Sequence, residues 1–210
     1  MGRRHISVAA TGVVLALGGA AAIEGEHGSR ATAQMHASAS EDARPHARTS
    51  VTRRQMRRWR LTRQGLGPIR VGRTVAEVER RTDRRMVFAY GDRSSCRIWR
   101  LGGAPRGLSI MTAYGRIARV QIYFRGAPDR VQSPRGFWRT KRRIRLGHTE
   151  ARVRRRYGHV RSRPHPYTVG RYLIVGRGNR RIIFETNSHA RVTSFRGGRK
   201  REVRYIEGCA

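Results

Sequence analysis

The sequence predicts an α+β protein of two tandem units, each a short helix (or helix pair) packed on an antiparallel β-meander. Three observations predict it. Residues 144–158, IRLGHTEARVRRRYG, nearly restate residues 69–83, IRVGRTVAEVERRTD. Each copy opens on a helix-cap signal. Each is then followed by runs of alternating apolar and polar residues broken by turn residues, the pattern of half-buried strands. A match held over about a dozen positions is the mark of a duplicated structural unit.

The elements follow in chain order. Residues 1–22, MGRRHISVAATGVVLALGGAAA, read as a signal peptide: Arg3 and Arg4 form the positive start, Ile6 to Leu17 the uncharged apolar run, and Ala20 to Ala22 the small residues before a cleavage point. Both Sec and twin-arginine export fit that start. No cysteine follows the run, so a lipid anchor is not expected. Residues 23–58 have almost no large apolar side chains and read as a disordered linker. His27, His36 and His46 lie there without metal-ligand spacing.

The first unit is placed at 59–135 and the second at 136–210. In the first, Thr74 caps a helix and Glu77 completes a Thr-Val-Ala-Glu capping box, with Val75, Val78 and Thr82 on one face. In the second, Thr149 is the cap and Glu150 lies in the first turn. Val153 and Tyr157 share a face there, and Gly158 ends the helix. Helices this short hold only by pressing that face onto a sheet. The sheet is supplied by 107–124, turning at Ala113-Tyr114-Gly115, and by 181–195, turning at Asn187-Ser188. Further strands are expected at 96–101, 171–175 and 202–208. In residues 118–124, Ala118, Val120, Ile122 and Phe124 point to one face and Arg119, Gln121 and Tyr123 to the other.

The entry Ile-Arg-hydrophobic-Gly-x-Thr-x-x-x-Val, followed by a meander, resembles the repeat of the β-lactamase-inhibitory protein. It is also similar to the single module of the SmpA/OmlA outer-membrane assembly lipoproteins. The resemblance spans about residues 64–208 in two copies. It implies helices on one sheet face and the other face open to a protein partner. It also implies a second reading, secreted enzyme inhibition.

Charge is the strongest compositional signal. The chain has 47 Lys plus Arg against 13 Asp plus Glu, a formal net charge of +34. Lys141 and Lys200 are its only lysines. GC-rich coding accounts for arginine over lysine but not for the shortage of acids, so the surface itself is cationic and attracts polyanions. Arg97, Trp99, Arg119, Tyr123, Arg171 and Arg191 are the candidate binding residues, with arginine forks for carboxylate or phosphate and interleaved aromatic rings. The expected partner is an acidic protein or an anionic cell-envelope polymer, with nucleic acid held only non-specifically. The protein is expected to act as a secreted or envelope-associated monomer without a transmembrane span. Cys96 and Cys209 are expected to pair, as thiols of exported chains do, closing a long loop worth about 4–5 kcal/mol.

Catalytic motifs are scarce. No Gly-x-Ser-x-Gly, His-Glu-x-x-His or phosphate-cradling glycine loop is present. A non-enzymatic module without cofactor or metal is therefore expected. The remaining catalytic reading is a hydrolase around His165 with Glu185 or Glu207.

Overall fold

The computed structural model describes residues 49–92, 95–206 and 208–209. The expected signal peptide, linker residues 23–48 and Glu207 lie outside the described residues. What is described is a mixed helix and sheet fold, mostly β, with two antiparallel sheets and few helices.

The chain enters through a one-turn helix, α1 (Arg53–Met56), and a small sheet of β1 (Leu61–Thr62), β2 (Gly65–Leu66) and β3 (Ile69–Arg70). Helix α2 (Val75–Thr82) leads to β4 (Met86–Tyr90), β5 (Cys96–Leu101), β6 (Leu108–Ala113) and β7 (Arg116–Tyr123). Helix α3 (Glu150–Tyr157) leads to β8 (Val160–Pro164), β9 (Arg171–Val175), β10 (Arg180–Thr186) and β11 (Val192–Arg199). These eight strands form one sheet in the order β4-β5-β6-β7-β11-β10-β9-β8. The seam is β7 against β11, with Ile122 opposite Phe195 and Gln121 opposite Arg196.

The caps form as their residue types dictate. Thr74 accepts from the Glu77 backbone N–H at 3.2 Å while the Glu77 carboxylate accepts from Thr74 N–H at 2.7 Å. Thr149 accepts from Arg152 N–H at 3.2 Å, with no reciprocal acid because the third helical residue is arginine. The glycine before each cap has a conformational reason. Gly72 and Gly147 sit at φ of 96° and 80°, and a Cβ on Gly147 would run into the Ser133 carbonyl. Each glycine N–H also donates to a strand-start carbonyl, Gly72 to Ile117 at 2.8 Å and Gly147 to Val192 at 2.7 Å.

The core lies between the helices and one face of the large sheet. Met56, Val78 and Val153 press onto Ile110, Val120, Ile122, Phe184 and Phe195, all essentially inaccessible to water. The opposite face is partly covered. Residues 202–208 were expected as a strand; Glu202–Arg204 form a 3₁₀ turn instead, and Tyr205 and Ile206 continue as an irregular tail laid over that face. The physical reason is that its carbonyls are taken by arginine side chains rather than by a neighbouring strand. The 49–58 part of the expected linker is also corrected. Thr52 and Gln55 form a full capping box, and Met56 is wholly buried. One well-placed methionine anchors a segment whose average composition is that of a loop. Strands β4 and β8, at the two sheet edges, were not expected from the sequence.

The expected disulfide is present. Cys96 and Cys209 are bonded, with Cα atoms 5.4 Å apart, and fasten the tail to the first residue of β5.

Candidate functional site: a basic groove and a covered sheet face

The six sequence-predicted binding residues do not share one open face. Arg97 and Trp99, on β5, point to the α2 side, where the Trp99 indole N–H donates to Thr112 at 2.9 Å. Arg119, on β7, is 3% exposed. Its Nη1 donates to the Glu202 and Tyr205 carbonyls at 3.2 and 2.7 Å, so it holds the tail rather than facing solvent. Burial, then the charge of Arg196, pushes its pKa down to about 10. Tyr123 is half-buried on the same face. Arg171 is exposed and donates through Nε to Ser162 Oγ at 2.7 Å. Arg191 precedes β11 and donates to the Gly147 carbonyl at 3.3 Å. The open-face placement of Arg119 is thus corrected, since alternation fixes which way a side chain points but not what lies over it.

A second buried arginine was not singled out in the sequence. Arg196, on β11, is 1% exposed, forms an ion pair with Glu185 on β10, and donates through Nε to the Val203 carbonyl at 2.6 Å. The other Glu185 oxygen accepts from Ser194 Oγ at 2.6 Å. Burial alone would raise the Glu185 carboxyl, but Arg196 and the Ser194 hydroxyl hold it below the ordinary carboxylate value. His165 lies near this pair. Its ring centroid is 4.6 Å from that of Tyr172, and its Nδ1 accepts from Tyr167 N–H at 3.2 Å. Burial lowers the His165 pKa, against the opposing charge of Glu185. Both Glu185 oxygens are thus engaged, one by Arg196 and the other by Ser194.

A larger cavity among the described residues lies elsewhere, at the sheet end where β9 turns into β10. It is a groove of about 1120 Å³. The small sheet contributes Arg63 and Arg70, the loop before α3 Lys141 and Arg142, β8 Arg161, the β9–β10 turn Arg177, and β10 Arg181. Its floor is apolar, from Ile174, Val175, Ile182 and the Tyr157 ring. No carboxylate lines it, and none of the seven cations forms an ion pair among the described residues. Arg181 shows what that costs. It is 7% exposed, and burial followed by the charges of Arg161, Arg204 and Arg63 lowers its pKa. Like charges converge here on a partly dry surface, an arrangement relieved by an anion.

This groove was not predicted from the sequence. Its cations come from four stretches of the chain, 63–70, 141–142, 161 and 177–181, and only their excess over acids was visible beforehand. Among the described residues no group of three or more His, Cys, Asp or Glu side chains is placed to hold a metal ion. None of the described helices is long and apolar enough to cross a membrane.

No protein-family model matches the chain. No curated protein matches it either. Among solved structures, it is similar to a DUF4309 family protein, YjgB, from Bacillus subtilis. The identity is 13% and the TM-score 0.42, over 70% of this chain and 93% of that one. A likeness of that size carries no activity across.

Proposed function

We propose that the protein is a non-enzymatic binding module that holds an anionic polymer, an envelope polyanion or an acidic stretch of protein, in the basic groove between the small sheet and the β9–β10 end of the large one. The observation that carries this is the gathering of seven cationic side chains around one groove without a lining carboxylate. Binding energy comes from arginine forks on carboxylate or phosphate and from counterions released as charges are neutralised. The apolar floor accommodates the uncharged parts of the chain between anionic groups.

Three features support the rest of the reading. The two halves are read as copies of one unit, because corresponding bonds recur. Thr74 bridges to Arg116 as Thr149 bridges to Arg191, at the same step of each helix entry. Export is supported by the Cys96–Cys209 disulfide, which persists in oxidising compartments. The non-enzymatic reading is supported by the engagement of Glu185 with Arg196 and Ser194.

The test is a salt-dependent binding titration with polyphosphate and with poly-glutamate. Arg161→Glu with Arg177→Glu is expected to weaken binding by about tenfold or more and to flatten the dependence of log K on log salt. Binding unchanged in that variant, for both polymers, rejects the groove.

A further inference from the structure

The hairpin of β8 and β9, at one edge of the large sheet, ends in a tip that the groove does not use. Its strands pair from Val160 opposite Val175 to Pro164 opposite Arg171, and residues 165–170 form the turn between them. Val169 is 87% exposed and Tyr167 69%. Pro166 and Thr168 beside them are exposed as well. The groove lies at the other end of β9, where Val175 and Gly176 line it.

The tip is held in shape. His165 N–H donates to the Gly170 carbonyl at 3.0 Å and closes the turn. Tyr167 N–H donates to His165 Nδ1, and Gly170 N–H to Thr168 Oγ1, each at 3.2 Å. The His165 ring packs against Tyr172 and edge-on to Tyr167, with centroids 4.6 and 6.2 Å away. Pro164 and Pro166 fix φ on either side of it. At the base, Arg171 N–H donates to Thr186 Oγ1 at 3.0 Å, and a Cβ on Gly170 would run into the Thr186 carbonyl. The exposure of Tyr167 and Val169 is thus built into an ordered turn. Their burial in an apolar phase is free energy that the chain itself leaves ungained.

The charges around the tip select that phase. Residues 159–184 contain no acid. Arg163 and Arg171, on the two strands just behind the turn, are both exposed, and neither lines the groove. An aromatic and an aliphatic side chain at the front, with guanidinium groups behind them, match the layers of an anionic bilayer surface. We propose that the β8–β9 tip inserts Tyr167 and Val169 into the interface of an anionic lipid bilayer, with Arg163 and Arg171 on the lipid phosphates. Tyrosine suits that depth, because its ring is apolar and its hydroxyl stays wet. Two side chains and two charges give reversible attachment, in which the protein lies on the membrane and does not span it. The tip and the groove stand or fall separately.

The test is co-sedimentation of the oxidised protein with vesicles of equimolar phosphatidylglycerol and phosphatidylcholine, and of phosphatidylcholine alone, at physiological salt. Tyr167→Ser with Val169→Ser is expected to lower partitioning onto the mixed vesicles by about tenfold, and to leave polyphosphate binding unchanged. Tyr114→Asn removes a 70% exposed tyrosine from the β6–β7 turn and is expected to leave partitioning unchanged. Val169→Trp places a reporter at the tip. Its emission is expected to shift to the blue on the mixed vesicles and to be quenched by brominated lipid, beyond the signal of Trp59, Trp99 and Trp138 in the unsubstituted protein. A double serine variant that partitions like the unsubstituted protein overturns the proposal, as does a reporter that the vesicles leave unshifted. Equal partitioning onto phosphatidylcholine alone overturns it, since the arginines then have no part. So does an equal loss in Tyr114→Asn. Polyphosphate binding lost in the double serine variant would place a soluble polyanion at the tip and overturn it as well.

Discussion

Arg196 and Arg119 show how far a single side chain's surroundings can depart from its type. Arginine is rarely buried without partners, and here two are sunk under the tail with backbone carbonyls as acceptors. Arg196→Met would leave Glu185 without its counter-ion and release the Val203 carbonyl. It is expected to cost about 3–5 kcal/mol in chemical denaturation. Adding Glu185→Gln should recover part of that loss, because the stranded charge is then gone. A second residue sets the behaviour in mild acid. His148 is 9% exposed, and its Nδ1 accepts from Arg145 N–H at 3.2 Å. Burial, then Arg152, Arg145, Arg156 and Arg191, lowers its pKa from the ordinary 6.5. A base that is harder to protonate folded than unfolded stabilises the fold above about 6.5, and that stabilisation is lost as pH falls below it. Thermal stability should therefore decline between pH 7.5 and 5.5, and His148→Asn, which keeps an acceptor but cannot titrate, should flatten the decline. An unchanged slope would remove His148 from the account.

Among elements, the helix starts are the clearest case of local chemistry deciding structure. Thr74→Ala loses the bond from Glu77 N–H and the hydroxyl's own bond to the Glu77 carboxylate, whereas Thr149→Ala loses one bond only. Each is expected to destabilise by about 1 kcal/mol, with Thr74→Ala the larger, as denaturation midpoints would show. Caps of this kind were legible because donor and acceptor are three residues apart. Hairpins were legible for a similar reason: residues 118–124 alternate in residue type, and the turn residues Tyr114 and Gly115 both take positive φ. Strand β8, Val160–Pro164, was not legible, because its sequence VRSRP has one large apolar residue and ends on proline, which only an edge position tolerates. The segment Glu202–Ile206 alternates like a strand, yet its carbonyls are captured by Arg119 and Arg196, which lie on other elements. No local pattern encodes such a capture. The groove was illegible for the same reason, since Arg63 and Arg177 meet only once the chain is folded.

At the scale of the whole molecule, cationic repulsion is the dominant unrelieved cost. Arg60, Arg73 and Arg181 each have pKa values lowered first by burial and then by other arginines. Added salt shortens the reach of those charges, from about 30 Å at 0.01 M to about 3 Å at 1 M. The melting temperature should accordingly rise by a few degrees from low to high NaCl, and more steeply with polyphosphate than with chloride at equal ionic strength. A melting temperature that falls with salt would mean that attractive pairs, not repulsion, dominate the surface. The bond between Cys96 and Cys209 has a topological corollary: everything from β5 to the tail lies inside one covalent ring. A protease that cuts the exposed turn around Tyr167 and Val169 would therefore open a backbone without separating its fragments. Such a nicked chain would migrate as one species on a gel until a thiol reagent is added, and then as two.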